Sequence, residues 1–218
     1  MGMTPTIDLS HLAVTRGLVG YWMGGVQGVP ALGTVRDLSS KGKDGTLVAN
    51  AYVNGDGFQS IGQLGQVSLP DWDSSVSNGL SFCAQFKLNS LTLGRIFNCD
   101  SANTGGVSIF WHQNLLHYRF GDGSACVEIT VPFTDITNWY SIVLTWDGAN
   151  IVSYLNSVQN GTAAATTYGN CAYGTIGAYG TSQRWDGQID DVRIYNRALS
   201  AAEVRAIYDN TKWRHQNA

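Results

Sequence analysis

Along much of this chain apolar and polar residues alternate with a period of two, the pattern of strands that turn one face to a core. Leu80, Phe82, Ala84, Phe86 and Leu88 point one way, and Ser81, Cys83, Gln85 and Lys87 the other. That predicts an antiparallel strand buried on one side. Val107, Ile109 and Trp111 repeat the pattern, as do Leu116, Tyr118 and Phe120. Ala125, Val127, Ile129 and Val131 follow, opposite Cys126, Glu128 and Thr130. Asp147-Gly148 and Asn160-Gly161 supply turn signals. Many short strands broken by Gly- or Asn-bearing turns predict a two-sheet sandwich. Near the end the period changes. Simple alternation puts Asp190, Val192 and Ile194 on one face of a strand and Ile189, Asp191 and Arg193 on the other. Ser200 and Glu203 then form a capping box, and Leu199, Val204 and Ile207 give the helix that follows one apolar face.

The stretch from Trp185 to Tyr208, WDGQIDDVRIYNRALSAAEVRAIY, resembles the C-terminal signature of the laminin-G-like, concanavalin A-like jelly rolls of bacterial and phage proteins. The opening strand Gly17 to Trp22 resembles that family's first strand, and Val35 to Leu47 its Asp-Gly turn. Asn138 to Gly148, Ile151 to Asn156 and Gly174 to Gly177 resemble three later strands. The resemblance implies an all-β, two-sheet antiparallel jelly-roll sandwich with one short C-terminal helix. It covers residues 17–208, leaving an N-terminal arm at 1–16 and a polar C-terminal tail at 209–218. Ile7, Leu9, Leu12 and Val14 are apolar points by which the arm docks on this domain or on another chain. Trp22, Trp139 and Trp146 fall at the family's core positions.

Composition agrees with a turn-rich β protein: 218 residues carry 26 Gly and only 13% charged residues. A net charge of −3, with Lys and Arg scattered, offers no basic surface to nucleic acid. No stretch approaches the roughly 18 apolar residues of a membrane span. The four cysteines form no C-x-x-C pair, so zinc spacing is absent. No export signal is read at the N-terminus, which favours free thiols over disulfides.

Glycan hydrolysis needs two carboxylates across the scissile bond. The chain has two Glu, Glu128 and Glu203, and Glu203 is the cap. No nucleophile elbow or phosphate loop is present. These absences point away from an enzyme. Relatives of the fold bind Ca²⁺, and the resemblance makes Asp190 the candidate ligand, with Asp44 or Asp37 as the second. The alternative is that Asp190 accepts backbone N–H groups from the turn at residues 39–45. Sugar stacking would use Trp72, Trp111, Trp185 and Tyr179, near predicted loops or strand ends. The function that follows from the resemblance is a non-enzymatic phage virion protein. It would be made in the host cytoplasm and anchored to other virion proteins by its arm or tail, and it would display a glycan-binding domain. A secreted bacterial lectin or adhesin domain is the alternative. A symmetric homo-oligomer fits the virion setting, though no heptad pattern supports one.

Overall fold

The computed structural model describes residues 14–23, 33–54, 57–70, 79–99, 105–122, 125–169, 174–180 and 182–215. Among the described residues fourteen strands precede one helix. They are β1 (Leu18–Trp22), β2 (Thr34–Val35), β3 (Gly45–Asn54), β4 (Gly57–Leu69), β5 (Leu80–Leu88), β6 (Gly94–Asn98) and β7 (Gly105–His112). Then come β8 (Leu115–Asp122), β9 (Cys126–Pro132), β10 (Tyr140–Trp146), β11 (Asn150–Leu155), β12 (Val158–Ala164), β13 (Gly174–Ile176) and β14 (Gly187–Tyr195). The helix α1 (Ala201–Thr211) runs directly into a 3₁₀ turn, Lys212–His215. All pairings are antiparallel, as expected for a jelly-roll sandwich.

The hydrogen-bonded path runs β12-β11-β10-β5-β14-β4-β13-β6-β7-β8-β9, with β1 on the far side of β14. The long strand β4 belongs to both layers. Its start pairs with β14 and its end with β13. The two ends of the path come together where Gly161 of β12 meets Ile129 of β9. A Cβ at Gly161 would sit 2.2 Å from the Ile129 side chain, so only glycine lets these edges approach.

Between the layers lies the main core. Phe82, Phe86, Ile142, Leu144, Ile189, Val192 and Ile194 fill it from one sheet. Val107, Ile109, Trp111, Leu116, Tyr118 and Phe120 fill it from the other. The predicted inward positions of β5, β7 and β8 are therefore correct.

The outer face of β5 was expected to meet solvent. Instead Ser81, Cys83 and Gln85 are buried, because a third layer covers them. Leu199, Val204 and Ile207 of the C-terminal segment pack on Tyr21, Cys83, Val143, Tyr154 and Tyr195 in a second, smaller core. Burial pushes the Cys83 thiol up to about 12 despite the opposing Arg193 charge beside it, which leaves it unreactive. The described end of the N-terminal arm joins this layer. Val14 is buried, its carbonyl accepts from the Tyr195 hydroxyl at 3.1 Å, and the Arg16 carbonyl accepts from Arg197 Nε at 2.8 Å.

Three expectations need correction. The alternation in β14 breaks at a bulge: Asp190 pairs with Gln85 and Arg193 with Cys83, so Asp191 and Val192 share the place opposite Ala84. Asp191 takes up the extra residue at φ +51°. Ile189, Val192 and Ile194 therefore all reach the main core, and Asp190 lies on the outer, helix-covered face rather than with Val192 and Ile194. Next, residues 209–215 are not a polar tail. Asp209–Thr211 complete α1, the 3₁₀ turn folds back on the sheet, and His215 is buried. Finally, Cys83 and Cys126 are free thiols but Cys99 is disulfide-bonded, with its partner outside the described residues. A disulfide is a tertiary contact that cysteine spacing alone does not reveal.

The capping box forms as predicted. Ser200 Oγ accepts from the Glu203 N–H at 3.3 Å and the Ser200 N–H donates to Glu203 Oε2 at 2.9 Å. Arg197 also clasps the Glu203 carboxylate through two nitrogens, at 2.8 and 2.9 Å. That guanidinium, with Ser200, holds the Glu203 carboxyl near 2, below its ordinary 4.5. A lowered folded-state pKa stabilises the fold above the unfolded value, and the benefit fades as pH falls toward the folded one. Thermal scans should therefore show Glu203→Gln less stable than wild type at pH 7, the gap closing between pH 4.5 and 2. A gap that stays constant across that window would mean that the clasp contributes nothing.

Candidate functional site

The site is built by the outer face of the β11-β10-β5-β14 sheet where α1 stops covering it. Register places outward side chains in rows across the strands. One row, Val143, Cys83 and Arg193, lies under the helix. The next, moving along the strands, is polar: Asn156, Ser141, Gln85 and Asp190. Beyond it Lys87 stands on β5, with Trp139 just before the start of β10. The end of α1 and the 3₁₀ turn wall this polar strip with Tyr208, Lys212 and His215. The result is a cleft of about 270 Å³.

Each wall is fixed by a separate network. Asp135 organises the loop that carries Trp139. Its Oδ1 accepts from the Thr137 N–H and hydroxyl at 2.6 and 2.7 Å, and its Oδ2 from Asn138 Nδ2 and the Tyr140 hydroxyl at 2.8 and 2.7 Å. These bonds, the one from Asn138 foremost, hold the Asp135 carboxyl well below the usual carboxylate range. The Ser141 N–H donates to Asn156 Oδ1 at 2.9 Å and ties the floor to the β11 end. On the other wall, His215 stacks on Trp139 with ring centroids 3.7 Å apart and planes 12° from parallel. His215 Nε2 and Arg214 Nη2 both donate to Asp190 Oδ2 at 3.0 Å. Asp190 is fully buried, so this pair of partners is what allows a carboxylate to sit there.

Two side chains of the cleft keep unused polar groups. The Trp139 indole N–H is buried with no acceptor, and Gln85 Nε2 is buried with no partner although Gln85 is only 4% exposed. Buried polar groups are rarely left so. The lining includes no carboxylate. The cleft can thus hold a polar, ring-bearing molecule through donors, amides and the Trp139 ring, one face of which is stacked on His215. Its described lining holds no pair of carboxylates of the kind that glycan hydrolysis uses.

The predicted sugar contacts fall elsewhere. Trp111 is 3% exposed and donates its indole N–H to the Phe133 carbonyl at 2.8 Å. Trp185 is 1% exposed and donates to the Lys87 carbonyl at 3.2 Å. Both are core residues, and neither has a face free for a sugar. Tyr179 is partly buried and lies against the Arg95 guanidinium, 5.0 Å from its ring centre. Trp72 lies outside the described residues. Trp22 and Trp146 are core as expected, whereas Trp139 is not, being the residue that opens the cleft.

The candidate metal ligands separate as well. Asp190 faces Arg214 and His215. Asp44 accepts the Asp37 N–H at 2.8 Å. Asp37 is a carboxylate that takes amides of this turn: Oδ1 accepts from the N–H groups of Ser39 and of Tyr21 on β1 at 2.8 and 3.0 Å, and Oδ2 from the Lys43 N–H at 3.0 Å. No group of three or more His, Cys, Asp or Glu able to hold a metal occurs among the described residues. Nor is any described helix long and apolar enough to cross a membrane.

A family model described as the concanavalin A-like lectin/glucanases superfamily matches residues 62–205. No curated protein matches the sequence. Among solved structures, the receptor-binding domain of botulinum neurotoxin C/D mosaic serotype superposes with a TM-score of 0.73 at 12% identity, over 90% of this chain and 52% of that one. The binding domain of botulinum neurotoxin DC in complex with rat synaptotagmin II gives 0.70 at 14% identity, over 90% and 52%. A botulinum neurotoxin type C structure gives 0.70 at 16% identity, over 89% and 51%; cell entry of that toxin depends on interaction with two ganglioside molecules. The chain thus spans about half the length of the structures it matches, and at these identities the likeness is one of fold.

Proposed function

Because the chain belongs to the concanavalin A-like lectin/glucanases superfamily, we propose that it is a non-catalytic recognition domain that binds glycan in the cleft beside Trp139. The observation that carries this is that two residues lining one cleft, Trp139 and Gln85, each keep a buried donor, Nε1 and Nε2, with no partner. Leaving such a donor unpaired costs about 1–3 kcal/mol, which an accepting oxygen of a ligand would recover. Sugar oxygens are such acceptors, and the apolar face of a pyranose suits an aromatic wall. The ganglioside dependence of one structurally similar toxin supports the ligand class.

The test is a glycan array followed by calorimetry on the glycans retained. Trp139→Ala is expected to weaken binding roughly tenfold or more, with a smaller loss of stability than deleting a fully buried core tryptophan, because the residue is partly buried and its main described contact is the His215 ring. Full affinity in Trp139→Ala, or no glycan retained, would contradict the assignment. The setting we propose is the surface of a phage virion, with the N-terminal arm as anchor; this rests on sequence resemblance. A secreted bacterial lectin would use the same cleft. Mass spectrometry of density-purified particles separates the two, since a virion protein is a stoichiometric component and a secreted one is not.

A further inference from the structure

We infer that the cleft is selective for an anionic saccharide, one whose sugar ring carries a carboxylate or sulfate; this rests on the glycan reading above and narrows it. Among the described residues Lys87 has no side-chain hydrogen-bond or ion-pair partner, and Lys212, paired with Asp209, stands on the helical wall. The carboxylates near them are already committed. Asp209 is held by Arg205 Nε at 2.6 Å and by Lys212 Nζ at 2.7 Å. Asp190 lies behind His215 and is bonded to it and to Arg214. Asp135 spends both oxygens on Thr137, Asn138 and Tyr140. Among the described residues Lys87 is therefore a cation without a counterion, beside the unpartnered donors of Gln85 and Trp139.

Register places these groups near one another. Gln85 and Lys87 are two residues apart on the same face of β5, so their side chains leave the sheet about 7 Å apart. Tyr140 pairs with Phe86. Trp139, one residue before it, therefore stands beside Lys87 at the ladder's end. Lys87, Trp139 and Gln85 all line the cleft, and they bring an ammonium, an indole N–H and a carboxamide N–H₂ to its lining. Together they offer donors to an oxyanion, and a charged acceptor gains more from such donors than a neutral hydroxyl does. A neutral sugar placed there would leave Lys87 unpaired.

The experiment is calorimetric titration of the full chain with 3′-sialyllactose, a sulfated chondroitin disaccharide and lactose, in wild type, Lys87→Met and Trp139→Phe. Sialyllactose shares its neutral core with lactose and adds only the acidic ring. The expected result is that one or both anionic sugars bind at least about tenfold more tightly than lactose. Lys87→Met should erase that preference, and raising salt should reduce it. The sialylated and sulfated arms separate a carboxylate from a sulfate ligand. Equal affinity for lactose and the anionic sugars would overturn the anionic inference and leave the glycan reading standing. No binding of any of the three, with an empty glycan array, would overturn both. Lys87 is at the surface, so Lys87→Met is expected to fold. Trp139→Phe keeps the stacking ring and removes only the N–H, so its loss of affinity reports the donor.

Discussion

Asp191→Ala is expected to destabilise the domain by about 3–5 kcal/mol, because it removes one half of a buried ion pair. Arg193 Nε and Nη2 donate to the two oxygens of Asp191 at 2.8 and 3.0 Å, and the two side chains are only 3% and 2% exposed. The guanidinium also lies over the Tyr21 ring, 4.7 Å from its centre. Without Asp191 this cation stays buried beneath the helical layer with no counterion. For a chain of this size the loss corresponds to a fall in thermal midpoint of about 6–20 °C. The double variant Asp191→Ala with Arg193→Met should recover much of that stability, since an apolar replacement for a buried pair is often near neutral. Urea unfolding of the two single variants and the double measures the coupling. A loss below about 1 kcal/mol in Asp191→Ala, within the range of exposed pairs, would mean that the outer face is wet and the third layer loosely held.

Trp185→Ala is expected to cost about 3–5 kcal/mol, the range for deleting a large aromatic from a close-packed core. Its ring meets Phe86 edge-on at 5.6 Å, and its backbone N–H donates to the Gly177 carbonyl at 2.8 Å. The indole N–H is used as well. If Trp185 were instead a sugar platform, the same change would abolish glycan binding and leave the denaturation midpoint nearly unmoved. The two outcomes separate in one set of urea curves and one titration. Trp139→Ala should show the larger loss of binding and the smaller loss of stability.

The contrast between these two tryptophans shows what the sequence could carry. Strand faces were legible because a period of two is a local property: every inward position read for β5, β7 and β8 lies in the main core. The capping box was legible for the same reason. What failed was whatever one residue of irregularity or one tertiary contact could alter. The bulge at Asp191 shifts Asp190 to the opposite face, and no neighbouring residue type announces a non-glycine at positive φ there. The outer face of β5 read as solvent-exposed because the helix that covers it lies more than a hundred residues away; Leu199 N–H donating to Ser81 Oγ is that contact.

The cleft was missed for a related reason. Gln85 and Lys87 were correctly placed on the outer face, yet nothing in the strand itself distinguishes a polar row open to solvent from one walled by a helix. Trp139 was assigned to the core by its place in the family pattern, and its partner His215 lay in residues expected to be tail. The signal that could have found it is the acid at Asp135 followed by Thr137, Asn138 and Tyr140, a loop that bonds to itself and leaves the intervening tryptophan without a local acceptor.

Whether a glycan is held beside Trp139 is read most directly from the indole N–H resonances during a titration with the tightest-binding sugar. There are seven tryptophans. Trp22, Trp111, Trp146 and Trp185 already donate to backbone carbonyls, so their indole signals should barely move. The Trp139 signal, assigned by its absence in Trp139→Phe, should shift in proportion to occupancy as its free N–H gains an acceptor. A sugar that binds while the Trp139 signal stays fixed and another indole moves would place the site elsewhere and contradict the account.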